Sequence, residues 1–265
     1  MNHIKSNFIA ADGEKIPYHS WEIRQGGYSR IAIVIGDPYL PVEENKRLID
    51  FLLENYFKVY APLIPETNPD SNNCGGLDEY QSHVGGFRSF VEGKEGNLKM
   101  IPMVFSVSVL PFLSYYFKVL PSFERIVLFS PVLDYTGNPV ASSGFLKKRI
   151  NLSFNESMLS EVKDERESIE KLLLKNPSIS KKLVKDLRKE FKVFPPSYPL
   201  DSVNTRIGIF YGESDELVSL EKIDALKNSL KNAKVETHSY PRMRHFLFND
   251  KYWKNMLNDL KIFLS

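Results

Sequence analysis

Three short segments of this chain hold residue types that could perform nucleophilic chemistry. The first is I-P-M-V-F-S-V-S-V-L-P-F, residues 101–112. A strand-like apolar run ends near Phe105 and a helix-like run begins near Val109, so Ser108 falls in the sharp turn between them. A serine in such a turn stands at the end of a strand, and the positive end of the following helix favours an anion developing beside it. Ser106 is the competing nucleophile. Ser108 is preferred because it leaves the strand its full length before the turn. The second segment is I-F-Y-G-E-S-D-E-L-V, residues 209–218, with Asp215 in the loop after an apolar run. A carboxylate there either caps a helix or orients a histidine, holding its tautomer and stabilising the imidazolium. The third is Y-P-R-M-R-H-F-L-F, residues 240–248, which carries His245, a candidate general base. Each segment alone has an ordinary structural explanation. Together they place serine, aspartate and histidine, in that chain order, each just after a strand.

Strands and helices must present these residues, and their pattern is regular. Phe8 to Trp21 reads as a hairpin around Asp12-Gly13, a favourable turn dipeptide. Arg30–Ile35 and Arg206–Tyr211 read as short buried strands, and Phe57–Ala61, Lys99–Phe105, Glu124–Phe129 and Lys234–Tyr240 as further strands. Helical spacing appears over Glu43–Tyr56, Leu77–Glu92, Val109–Val119, Leu220–Leu230 and Asp250–Leu264. This alternation predicts an α/β protein with a mostly parallel central sheet flanked by helices. Residues 134–200 interrupt the rhythm. They are rich in lysine, glutamate and serine, show helical spacing over Ser168–Leu174 and Ser180–Phe191, and close with Pro195, Pro196 and Pro199. The expected organisation is a core of residues 1–133 and 201–265 with a helical cap inserted at 134–200. The mixed charges of that insertion suit a solvated face; the sharper expectation is a mobile lid over a pocket.

With these residues in place, the chain resembles the α/β-hydrolase superfamily, nearest its lysophospholipase and monoacylglycerol-lipase-like branch, over nearly its whole length. F-I-A-A-D-G-E-K-I-P-Y-H-S-W-E (8–22) resembles the branch's opening hairpin, and G-E-S-D-E-L-V (212–218) and R-H-F-L-F (244–248) are the nearest matches. The resemblance implies an α/β-hydrolase fold with a helical cap and hydrolysis of a carboxylic ester or thioester, and the aromatic and aliphatic content of the cap favours an apolar acyl group. Such a reaction runs through an acyl-enzyme on Ser108, with His245 as base, Asp215 as acid and no metal or organic cofactor. It further implies an oxyanion hole from the backbone N–H groups of Asp37 and Val109. The sequence departs from the branch at three places. The turn reads S-V-S-V-L instead of G-x-S-x-G, Ile35-Gly36-Asp37-Pro38 replaces a His-Gly pair, and A-P-L-I-P (61–65) stands where an aspartate is usual. These departures leave a second function open, a catalytically degenerate homologue that binds a small ligand or a partner.

The bulk composition narrows the remaining classes. The chain has 265 residues, 42% hydrophobic and 26% charged, with 35 basic and 33 acidic side chains and a formal net charge of +2. That balance argues against a nucleic-acid partner, which needs a concentrated basic face. No apolar run approaches the roughly 20 residues that span a bilayer, and the first residues lack the apolar core of a secretion signal. A single cysteine, Cys74, suits a reducing compartment, so a cytoplasmic location is expected. His3, His19, His83 and His238 show no ligand spacing, so no metal is expected. Phe112, Tyr115, Tyr116 and Phe117 read as helix packing.

Overall fold

In the computed structural model the described residues are 1–23, 27–135, 147–152, 158–160, 162–194 and 203–265. Ten strands and seven α-helices are described. β1 (Asn2–Ile9) and β2 (Lys15–Glu22) form the expected hairpin. Gly13 takes φ +86° in its turn, a conformation that costs glycine little. Then come β3 (Arg30–Ile35), α1 (Lys46–Glu54), β4 (Phe57–Pro62), α2 (Leu77–Glu95), β5 (Lys99–Phe105), α3 (Val109–Val119) and β6 (Arg125–Phe129). After the insertion follow β9 (Arg206–Gly212), α6 (Leu220–Ser229), β10 (Lys234–Tyr240) and α7 (Trp253–Leu264). The first and last helices begin later than their apolar spacing suggested. A 3₁₀ turn, Val42–Glu44, precedes α1, and another, Leu247–Asn249, lies just ahead of the segment leading into α7.

Eight strands form one sheet in the order β1-β2-β4-β3-β5-β6-β9-β10. β1 pairs antiparallel with β2, and β2 with β4; every other pair is parallel. Alternating side chains feed two apolar layers, as a doubly covered sheet requires. On β3, Ile31, Ile33 and Ile35 face the layer that includes Tyr80, Phe87, Leu113 and Leu226. Ala32 and Val34 face the other, with Leu48, Leu52, Met256 and Phe263. Thus α2, α3 and α6 cover one face while α1 and α7 cover the other.

After β3 the chain moves outward to β4, then returns to lay β5 on the opposite side of β3. The strand order therefore reverses between β3 and β5. Loops at the carboxyl ends of two such strands diverge and leave a crevice, where open α/β sheets bind ligands. The loops in question carry Gly36-Asp37 and Ser106.

The insertion includes α4 (Lys163–Leu172) and α5 (Lys181–Glu190), close to the two helical runs expected there. It also holds two strands that the sequence reading lacked, β7 (Arg149–Asn151) and β8 (Ser178–Ser180), paired antiparallel. The Arg149 guanidinium fastens this ribbon to the loop after β4, donating to the carbonyls of Pro65, Glu66, Ser71 and Asn73. Ser180 caps α5 through Leu183 N–H and also donates its hydroxyl to Gly75 O. The prolines expected to close the insertion lie outside the described residues. Among the described residues, no helix is long and apolar enough to cross a membrane.

Candidate active site

β5 ends at Phe105, where pairing with Phe129 of β6 stops. The next residue, Ser106, takes φ +52° and opens a 3₁₀ turn (Ser106–Ser108) that runs into α3. A left-handed conformation at a serine costs on the order of 1–3 kcal/mol and persists only where its surroundings over-determine it. Here Ser106 O accepts from Val132 N–H (3.2 Å) and from Val109 N–H, holding the turn from two sides.

The strained turn aims Ser106 Oγ at His245 Nε2, 2.7 Å away. His245 Nδ1 lies 2.8 Å from Asp215 Oδ2. The other carboxylate oxygen, Oδ1, accepts from Leu217 N–H at 3.0 Å, so the aspartate is anchored by its own loop. The acid and base loops are laced together: Glu213 N–H donates to Tyr240 O and Ser214 N–H to Met243 O. This closeness needs Gly212, because a β-carbon there would sit 2.1 Å from Met243 O. His245 is gripped further by Ser130 Oγ donating to its carbonyl, and by the edge of the Tyr39 ring.

All three side chains are covered; Ser106 is 1% exposed, His245 4% and Asp215 5%. Burial pulls the His245 pKa down, but the adjacent Asp215 carboxylate and then Asp37 outweigh it, and the net direction is up. An imidazole with a carboxylate on Nδ1 and a hydroxyl on Nε2 can accept the hydroxyl proton, the charge that results being offset by the carboxylate.

The sequence reading put Ser108 in this position, and the structure places it elsewhere. Ser108 is fully buried, and its Oγ donates to Gly36 O at 2.7 Å. The Val109 N–H, expected to face an oxyanion, is spent on Ser106 O. The reason is local. The strand is complete at Phe105, so the sharp turn falls on the first residue after it, and two further residues already belong to the helical ramp. The strand boundary expected at Phe105 was itself the signal for Ser106. With the turn centred there, the positions two residues away on either side are Val104 and Ser108, and the small residue lies on the helical side. The N–H following the turn serine belongs to Val107, whose carbonyl accepts from the Tyr135 hydroxyl. Asp37 sits where it was expected, at the end of β3. Its carboxylate turns into its own loop, where Oδ1 accepts from Tyr39 N–H (2.8 Å) and Leu40 N–H (3.1 Å). Burial raises its pKa.

A cavity of about 310 Å³ opens beside this loop, lined by apolar Ile35, Leu40 and Ile64 and by charged Lys5, Glu43 and Asp70. Gly36 and Asp37 line it, and Asp37 also borders His245 on its other side. Among the described residues, one group has the donor set of a metal site: Asp12, Glu14 and His83 place ligand atoms within 4.8 Å of one another. His83 Nδ1 lies 3.2 Å from Glu66 and Nε2 3.1 Å from Asp12. Burial lowers its pKa, yet these two carboxylates raise it to about 9. A protonated His83 therefore supplies the positive charge that the carboxylates need. His83 carries no signal in the sequence, because its partners lie 17 and 71 residues away.

No family model and no curated protein sequence matches the chain. Its backbone, in contrast, superposes on solved structures over nearly full length. A soluble variant of monoglyceride lipase from Saccharomyces cerevisiae, in complex with a substrate analogue, has a TM-score of 0.76 at 16% identity, covering 99% of this chain and 94% of that one. A monoacylglycerol lipase from Paleococcus ferrophilus has a TM-score of 0.70 at 16% identity, covering 95% and 98%. A carboxyl esterase from Bacillus coagulans, in complex with glycerol, has a TM-score of 0.72 at 15% identity, covering 100% and 98%. The chain has the α/β-hydrolase fold.

Proposed function

We propose that this protein is a serine hydrolase of carboxylic esters or thioesters, with Ser106 as nucleophile, His245 as general base and acid, and Asp215 as the residue that orients His245. The observation that carries the reading is the unbroken chain from Ser106 Oγ through both nitrogens of His245 to Asp215, set on a backbone turn with φ +52°. The lipases and esterases of like fold support the substrate class. In this reading Ser106 Oγ attacks the acyl carbonyl as His245 Nε2 takes its proton. The Asp37 and Val107 N–H groups receive the oxyanion. His245 then gives the proton to the leaving alcohol or thiol, and water releases the acid from the acyl-enzyme. The cavity beside Asp37, lined by both apolar and charged side chains, is of a size for a small molecule with an apolar acyl group and a polar alcohol. Since Ser106 is covered, an ester enters only when that cover parts.

The test is labelling of the purified protein with a fluorophosphonate, beside Ser106→Ala and Ser108→Ala variants. Complete loss in Ser106→Ala, with labelling weakened but retained in Ser108→Ala, is expected. Labelling that survives Ser106→Ala, or a folded wild type that never labels, would overturn the assignment.

A further inference from the structure

The two serines of S-V-S divide the work of the site, and the second acts through the backbone. A trans peptide unit is planar, and its C=O and N–H point in opposite directions. Fixing one therefore aims the other. The peptide between Gly36 and Asp37 carries the Gly36 carbonyl and the Asp37 N–H. Ser108 Oγ donates to that carbonyl at 2.7 Å. Among the described residues, no protein group accepts from the Asp37 N–H. The Asp37 carboxylate is turned into its own loop by Tyr39 and Leu40 N–H, so the N–H and the acidic side chain are held apart. The peptide between Ser106 and Val107 is held in the same manner: Ser106 O is pinned by Val132 N–H, which leaves the Val107 N–H on the opposite side.

We propose that Ser108 is a positioning residue for the oxyanion hole, its hydroxyl holding the Gly36–Asp37 peptide so that the Asp37 N–H faces the acyl oxygen of an ester on Ser106. The inference rests on the Ser106 reading. It assigns a role to the serine that stands where a glycine would leave Gly36 O without this donor. Ser108 is fully buried on the ramp into α3, and Gly36 is the first residue after β3 across the crevice. Their bond ties together the two loops that flank the point of strand-order reversal. Asp37 lines the cavity and also lines a second, small pocket together with His245, which places its peptide between the two.

The experiment compares wild type, Ser108→Ala, Ser108→Cys and Ser106→Ala with a p-nitrophenyl ester and an aryl trifluoromethyl ketone. The ketone adds the serine Oγ to its carbonyl carbon, and the carbonyl oxygen becomes an oxyanion that must sit in the hole. Outright removal of an oxyanion donor costs roughly 10²–10³ in kcat, so a loosened donor is expected to cost roughly 10- to 100-fold. In Ser108→Ala, kcat falls by that factor, KM stays within about threefold, and ketone affinity falls in parallel with kcat/KM. Ser108→Cys keeps the volume and a weak donor, so it folds if the alanine variant does not, and it falls between the two. A purely structural Ser108 would lower the melting temperature and leave kcat per labelled site and ketone affinity within threefold of wild type; that result overturns the inference. Turnover or ketone binding that survives Ser106→Ala would instead sink the nucleophile assignment beneath it.

Discussion

Two buried histidines in this molecule begin alike and end differently. His245 Nδ1 meets Asp215 at 2.8 Å, and His83 Nδ1 meets Glu66 at 3.2 Å. Each ring is thus oriented by a buried carboxylate, the arrangement often taken as a mark of catalysis. They diverge at Nε2. His245 faces the Ser106 hydroxyl at 2.7 Å, whereas His83 faces a second carboxylate, Asp12, at 3.1 Å, with Glu14 beyond it at 3.7 Å. A hydroxyl can give up a proton to the ring. A carboxylate instead demands that the ring already hold both protons. His83 is therefore held as a cation joining the β1–β2 turn to α2, whereas His245 keeps an Nε2 placed where it can take a proton from the Ser106 hydroxyl. What separates the two pairs is the group on the far nitrogen, a hydroxyl for His245 and a carboxylate for His83.

Removing the hydroxyl on that far nitrogen should have the largest effect. Ser106→Ala is expected to lower kcat by roughly 10⁴-fold or more, with a melting temperature close to wild type, checked by ester turnover and thermal unfolding. Asp215→Asn keeps the shape but weakens control of the tautomer, and a loss of about 10⁴-fold is expected. The pH profile sharpens this. His245 must be neutral to accept a proton, and its pKa is raised above the ordinary 6.5, first among the raising causes by Asp215. So kcat/KM should rise with pH and reach half its maximum above pH 6.5, and the residual activity of Asp215→Asn should have its midpoint at lower pH.

The second histidine gives the opposite pattern. His83→Gln should leave turnover unchanged while destabilising the fold by about 3 kcal/mol near pH 6, because Glu66 stays buried without its counter-charge. For 265 residues this corresponds to a melting temperature roughly 5 °C lower. The folded-state pKa of His83 is raised from 6.5 to about 9. Its contribution is therefore full below about pH 6.5 and is lost as pH rises through 9. The gap in melting temperature between wild type and His83→Gln should close over that window. A gap independent of pH would mean that His83 acts by packing alone. The smallest effect belongs to Asp12→Asn. That carboxylate is half exposed, and its loss should cost no more than about 1 kcal/mol.

The α/β architecture was readable from the residues themselves. Runs such as R-I-A-I-V-I and E-R-I-V-L-F have the apolar continuity of strands covered on both faces, and nearly every core element falls within three residues of its expected bounds. The short β7–β8 ribbon was not readable. Its strands have three residues each and owe their pairing to partners about 30 residues apart in the chain, beyond the reach of periodicity. The same divide runs through the site. The meeting of Asp215 with His245 was legible because each follows a strong strand signal, and the order serine, aspartate, histidine constrained them together. The choice between Ser106 and Ser108 was not, since both are small, polar and adjacent to the turn.

By itself, the sequence determined a sheet with helices on both faces, the three loops that could meet at one edge, and the residue types they would bring. Tertiary structure alone decided which serine is aimed at His245, which carbonyl Ser108 binds, and which buried histidine meets a hydroxyl and which a second carboxylate. Those outcomes depend on one strained φ angle and on hydrogen bonds spanning 72 and 139 residues. Such contacts exist only once β3, β5, β6, β9 and β10 lie side by side, because no local preference of a serine or a histidine can select a partner so distant along the chain.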